Sequence, residues 1–261
     1  MKIFLQLHFL ISTTILTVIF IAIFLAIQKV IRKNLSHEIL KENHEVGGFI
    51  YNAVGIIYAV LIAFVVFAIW TAQQETNSKI EQEASHLLDL YYDASIFPDS
   101  SKKEIQSTIR DYVSRITNEE WNAMSDGNRD STATRILIKL NRMYLSMDGS
   151  QLVNKDVLTE EIKKMDEVRE FRRHRLLSSR QSMPDIMWIV LLISSVIMIV
   201  FTFFFSTRNK WHQYIMTAFL VFVCVNVIYL VFVLDHPFTG YHAIKPDAFD
   251  QLMTIVRNFK K

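Results

Sequence analysis

"EVGGFIYNAVGIIYAVLIAFVVFAIW" runs from Glu45 to Trp70, and from Val46 onward it carries no charge for 25 residues. That is long enough to cross the hydrocarbon core of a bilayer as a helix. Lipid alone would be satisfied by leucine, yet this run holds three glycines, an asparagine and two tyrosines. On a helix, Gly48, Asn52, Gly55, Ala59 and Ala63 fall in one stripe, at steps of 4, 3, 4 and 4. Small residues let another helix backbone come close, and that close packing replaces the hydrophobic drive that is absent between helices in lipid. Asn52 must find a polar partner or water. The opposite side carries Tyr58, Leu61, Val65 and Ile69, bulky side chains suited to lipid or to neighbouring helices.

The rest of the chain repeats the pattern. Of 261 residues 51% are hydrophobic, and they are gathered in blocks at roughly 3–27, 46–70, 185–206 and 211–234. Each block is long enough to span. None alternates like a barrel strand, and lipid forces backbone hydrogen bonds to close within the segment, so all four are read as helices. The first block is too long for the apolar region of a signal peptide, and "IQKVIRKN" follows it rather than a small-residue cleavage site. The fold class is all-α: four transmembrane helices with a helical polar insert between spans 2 and 3. The expected divisions are a membrane hairpin over 1–72, the insert over 73–183, a second hairpin over 184–235 and a C-terminal tail over 236–261. A net charge of +2 gives no reason to expect nucleic acid as a partner, and the single Cys224 cannot form an intrachain disulfide.

The insert lacks β-branched alternation, and its proline before Pro184 is Pro98. Residues 73–95 read as span 2 continued into water. Ser101-Lys-Lys-Glu104 fits a capping box that opens a helix to about Met124, which Asp126-Gly127 ends. A third helix fits 132–146, closed by Asp148-Gly149. A fourth fits 151–181, with Leu158, Ile162, Met165 and Val168 at helical spacing, and Pro184 sits near the start of span 3. Near the span ends the two short loops offer six basic residues (Lys29, Arg32, Lys33, Lys41, Arg208, Lys210) and the other side eight (Lys2, Lys79, Arg169, Arg172, Arg173, Arg175, Arg180, Lys245), so the positive-inside rule does not orient the chain.

Five stretches, in order, carry a resemblance. They are the span 2 run itself, "EQEASHLLDLYYDASIFP" (81–98), "YVSRITNEEWNAMSDG" (112–127), "RRHRLLSSRQSMPDIMWIVLL" (172–192) and "LDHPFTG" (234–240). Together they resemble the bestrophin-like family of four-span membrane proteins, over nearly the whole chain. Bestrophins are pentameric anion channels with a helical cytosolic region between spans 2 and 3, and span 2 lines their hydrophobic neck. The resemblance implies a homo-oligomer, a pentamer by analogy, that conducts inorganic anions such as chloride. It also implies an insert on the cytoplasmic side of a bacterial inner membrane, with Gly48, Asn52, Gly55, Ala59 and Ala63 at a pore or a packing face.

Other constellations admit a function beside a structural role. Asp235, His236, Pro237, Phe238 and Gly240 form either an interfacial turn or a mouth or gating turn, since Pro237 stops the helix and Gly240 permits a bend. Arg169, Arg172, Arg173 and Arg175 precede span 3, where a basic run attracts anionic lipid or draws anions to a vestibule, unless nearby acids neutralise it. His86, Asp89 and Asp93 share a helix face and offer weak metal ligands, against the ordinary reading of a solvated face. Glu119 and Glu120 are adjacent, so they point about 100° apart and do not make an acid–base pair; Trp121 reads as a core anchor. No phosphate-binding glycine loop, His-Glu-x-x-His pattern or paired cysteine occurs, so neither a cofactor nor an enzyme is expected. Two classes remain: an oligomeric ion channel, and a non-conducting membrane anchor whose insert senses or binds a partner.

Overall fold

The computed structural model describes residues 5, 7–34, 44–147, 155–205 and 209–258. Asp148-Gly149, the start expected for the fourth insert helix at 151–154 and most of the two short loops lie outside them. The described residues are helical apart from turns and contain no strand. The elements are α1 (Phe9–Asn34), α2 (His44–Asp93), α3 (Asp99–Arg115), a π-helical turn (Ile116–Glu120), α4 (Trp121–Met124), α5 (Ser131–Leu145), α6 (Lys155–Ser178), α7 (Asp185–Phe201), α8 (Lys210–Leu234) and α9 (Asp247–Asn258). Four helices are long and apolar enough to cross a membrane, over Phe9–Lys33, Glu45–Ile96, Asp185–Phe204 and Lys210–Leu234. The chain is an integral membrane protein.

The chain forms two compact units. One comprises Met1–Thr71, Ser182–His236 and Gly240–His242; the other comprises Ala72–Gln181, Pro237–Thr239 and Ala243–Lys261. Helix α2 runs for 50 residues without a break, so its first part belongs to the membrane unit and its last turns to the insert.

In the membrane unit the spans are held by apolar packing and by a few side-chain hydrogen bonds. Tyr58, Met198, Ile199, Phe203, Val221 and Cys224 form one buried cluster, and Val65, Met183, Leu191 and Val231 another. Gln28 Nε2 donates to Thr217 Oγ1 at 3.1 Å, Asn226 Nδ2 to Thr17 Oγ1 at 3.2 Å, and Tyr58 shares a short hydrogen bond with Ser195. Such bonds join α1 to α8 and α2 to α7 where no water competes, each contributing on the order of 1 kcal/mol.

In the insert, the apolar faces of α3, α5 and α6 close on the end of α2. Leu87, Leu90, Ile105, Ile109, Tyr112, Leu140, Tyr144, Met165 and Val168 are all buried. The opening of α3 differs from the expected capping box. The helix starts at Asp99 with Pro98 as its N-cap, no side-chain cap bond forms, and Ser101 already lies in the first turn. Pro98 fixes an extended φ/ψ that serves as the entry, and Asp99 puts its charge at the positive end of the helix. By contrast α5 is capped by a side chain, Asp130 Oδ1 accepting from Thr132 N at 2.6 Å. Gly127 is left-handed at φ +71, and the N–H of Asn128 returns to Ala123 O, which ends α4.

The segment after span 4 is more than a tail. Phe249, Leu252 and Val256 of α9 are buried in the insert's core. In the membrane unit, Gly240 has φ +93, Tyr241 N donates to Leu5 O at 2.8 Å, and a Cβ on Gly240 would fall on the Leu5 backbone. Gly240→Ala is therefore strained twice over. We expect it to cost about 1–3 kcal/mol, read as a lower melting temperature of the detergent-solubilised protein; an unchanged melt would contradict the contact.

Candidate functional site

Span 2 presents two unlike faces. The bulky one turns inward: Tyr58 and Val65 are buried, and Tyr51, Val54, Leu61, Ile62 and Ile69 pack against the two membrane clusters. The small one stays mostly open. Asn52, Ala59 and Ala63 are exposed, and Gly48 and Gly55 are half-buried. No atom lies within 4 Å of a Cβ built on Gly48, whereas Gly55 backs onto Met198 at 3.4 Å. Flanking the stripe are Ile56, Val60, Phe64 and Phe67, of which Phe64 is 70% exposed. A single chain thus leaves a continuous, uncharged face along the middle of span 2. It is too rich in small residues to be explained by lipid contact alone.

The insert holds a different arrangement: two arginines and two glutamates buried together. Arg175 is wholly buried; its Nε reaches Glu83 Oε2 at 2.8 Å, and its Nη2 reaches Glu83 Oε1 and Glu120 Oε1, each at 3.0 Å. Its guanidinium also lies over the rings of Trp121 and Phe249, 5.3 and 5.6 Å from their centroids. Arg172 takes the other side of Glu120, with Nη2 to Oε2 at 2.5 Å and Nε to Oε1 at 3.2 Å, and reaches Thr134 Oγ1 at 2.9 Å. Tyr112 donates to Glu83 Oε1 at 3.0 Å.

These charges cancel, and most of their donors and acceptors are filled, which is what burial of ions demands. Burial works to lower the pKa of Arg175, but the neighbouring Glu83 and Glu120 carboxylates outweigh it and raise it. Burial and the Glu83 charge push the Tyr112 phenol well above its ordinary value. The π-turn delivers Glu120 to this network, while adjacent Glu119 stays outside beside Arg115 at 3.8 Å.

This corrects the reading of the basic run before span 3. Arg172 and Arg175 are not available to lipid or to passing anions, because their charge is neutralised inside the insert. Arg169 pairs with Asp166 at 2.9 Å on the surface, and Arg173 is exposed. Sequence could not pair Arg175 with Glu83 across 92 positions; the one available hint was helical phase, since Met165, Val168, Arg172 and Arg175 lie on one face of α6.

The remaining candidates are dispersed. Asp235 joins the ends of spans 3 and 4: its Oδ1 accepts from Met183 N at 2.6 Å and its Oδ2 from Trp188 Nε1 at 3.2 Å. His236 Nδ1 lies 2.9 Å from Phe232 O. Pro237 O accepts from Ile244 N at 2.7 Å, and Phe238 packs edge-on to Trp121 in the insert's core. His86 Nε2 sits 3.3 Å from Glu167, Asp89 is exposed, and Asp93 accepts from Lys164 at 2.6 Å. The three do not converge, and among the described residues no group of three or more His, Cys, Asp or Glu is placed to hold a metal ion.

A family model described as a Bestrophin-like domain matches residues 18–249. Among solved structures, a bacterial bestrophin homologue from Klebsiella pneumoniae, in a single-substitution form, is similar with a TM-score of 0.71. The two share 13% identity, over 93% of this chain and 97% of that one. Another crystal structure of a bacterial bestrophin homologue from Klebsiella pneumoniae gives a TM-score of 0.68 at 14% identity, over 92% and 96% of the two chains. At such identities the likeness is one of fold. No curated protein matches the chain.

The insert's ion network makes a sharp prediction. Arg175→Met strands the buried Glu83 carboxylate and leaves Glu120 to Arg172 alone; it should cost about 3–5 kcal/mol, seen as lost hydrogen-exchange protection across α3 and α6. Arg173→Met, on the surface, should change protection by less than about 0.5 kcal/mol.

Proposed function

The chain belongs to the Bestrophin-like family, and from that premise we propose that it is one subunit of an oligomeric ion channel, anion-conducting, with span 2 lining or buttressing the pore. The supporting observation is the exposed face of α2. The helix buries Tyr58 and Val65 in its own subunit and keeps Asn52, Ala59 and Ala63 outward, beside exposed Ile56, Val60, Phe64 and Phe67. A stripe of that kind finds its use against sister copies around a shared axis.

The anion preference comes with the family likeness. Between Val46 and Trp70 α2 carries neither acidic nor basic side chains, so no charged ring lies on this face. Ile56, Val60, Phe64 and Phe67 give it an apolar lining, where conduction is controlled by wetting and dewetting of a narrow passage. The pentamer, the cytoplasmic side for the insert and the inner-membrane location come with the family likeness and belong to the same proposal.

Purified protein in liposomes should dissipate a halide gradient. Ala63→Trp should lower that flux about tenfold or more by filling the passage. Absence of halide flux from intact wild-type oligomers would overturn anion conduction, and absence of both halide and alkali-cation flux would overturn the channel reading in favour of a membrane anchor whose insert binds a partner.

A further inference from the structure

Among the buried charges of the insert, one set is not neutral. Glu161 of α6 has a side chain only 2% exposed. Its Oε1 receives Lys164 Nζ at 3.0 Å, but its Oε2 is buried with no hydrogen-bond partner. The same ammonium lies 2.6 Å from Asp93 Oδ2, at the last residue of α2. From α5, the fully buried Tyr144 faces both acids, and its hydroxyl turns to Leu90 O at 3.5 Å. Two carboxylates therefore share one ammonium, and one oxygen has no donor. The Glu83–Arg175–Glu120–Arg172 network, by contrast, balances its charges.

We propose that Glu161 and Asp93, gathered around Lys164, form a proton-binding site that links the end of α2 to α6. A proton taken from solvent onto Glu161 Oε2 is shared with the Asp93 carboxylate. The orphan oxygen becomes a donor, and one ammonium then faces one net negative charge. Asp93 and Lys164 are 33% and 21% exposed, so the proton has a path to the site. Loss of the proton leaves Glu161 charged at 2% exposure beside a second carboxylate that draws on the same ammonium, which loosens the junction of the two helices. The site does not depend on whether the spans conduct.

The electrostatics agree with the geometry. Burial first, and the Asp93 charge after it, push Glu161 up to about 7 from the ordinary 4.5, against the pull of Lys164. The sign is that of an acid raised on folding. Its stabilising contribution is complete below about 4.5 and is lost as pH rises through about 7.

Infrared difference spectra of the full-length protein, titrated from about pH 5 to about pH 9, test this. The wild type should lose a protonated-carboxyl band with a midpoint near neutrality. Glu161→Gln should remove that step, and should also abolish any loss of hydrogen-exchange protection at the start of α6 above neutral pH, measured after correction for the intrinsic base-catalysed rate. Asp93→Asn, which removes the neighbouring negative charge, should move the midpoint down by about one unit or more. A wild-type spectrum with no carboxyl step in this range would overturn the site. So would a step that Glu161→Gln leaves in place, or a midpoint that Asp93→Asn does not move. The last comparison stands even if Glu161→Gln fails to fold, because Asp93 is part-exposed.

Discussion

One helix must satisfy two solvents. From Val46 to Trp70 it has no charge to solvate, and beyond that point it carries Glu75, Glu81 and Glu83. In lipid the backbone can only close on itself, so the first part of α2 has no freedom except in what its side chains touch. In water the helix must bury one face or fray. It does so with Leu87 and Leu90, and with Glu83, whose charge is tolerated because Arg175 meets it twice. The rest of the protein is arranged around these two demands: spans 1, 3 and 4 supply the membrane packing, and α3, α5, α6 and α9 supply the insert's core.

Much of this was legible in the sequence for a simple reason. Apolar runs longer than a bilayer is thick have few alternatives, and the four spans follow from length and composition. The small stripe of span 2 is likewise a matter of counting residues on a helix. Two elements resisted for local reasons. The entry to α3 is made by Pro98 and Asp99 without a side-chain cap, so the serine–glutamate spacing at Ser101 and Glu104 pointed three residues too far along. Helix α9 did have a readable signal, Phe249, Leu252 and Val256 on one face, but its burial depends on a distant surface.

The charged residues were harder. A run of arginines beside a membrane span looks the same whether it faces headgroups or carboxylates inside a fold. Arg172 and Arg175 became intelligible only when Glu120 and Glu83 were found beside them, 52 and 92 positions away. The same holds in reverse for His86, Asp89 and Asp93, which share a helix face and yet turn to different partners or to none. Spacing along a helix defines a face; what meets that face is decided by tertiary packing.

Conduction therefore turns on where the open side of span 2 points in the assembled protein. The most direct measurement is an image of the purified oligomer at a resolution that identifies the innermost helix. The account predicts sister copies of α2 around a central passage, with Asn52, Ala59 and Ala63 turned toward one another or toward the axis. An assembly in which that face lies against lipid, with no passage beside it, would contradict it.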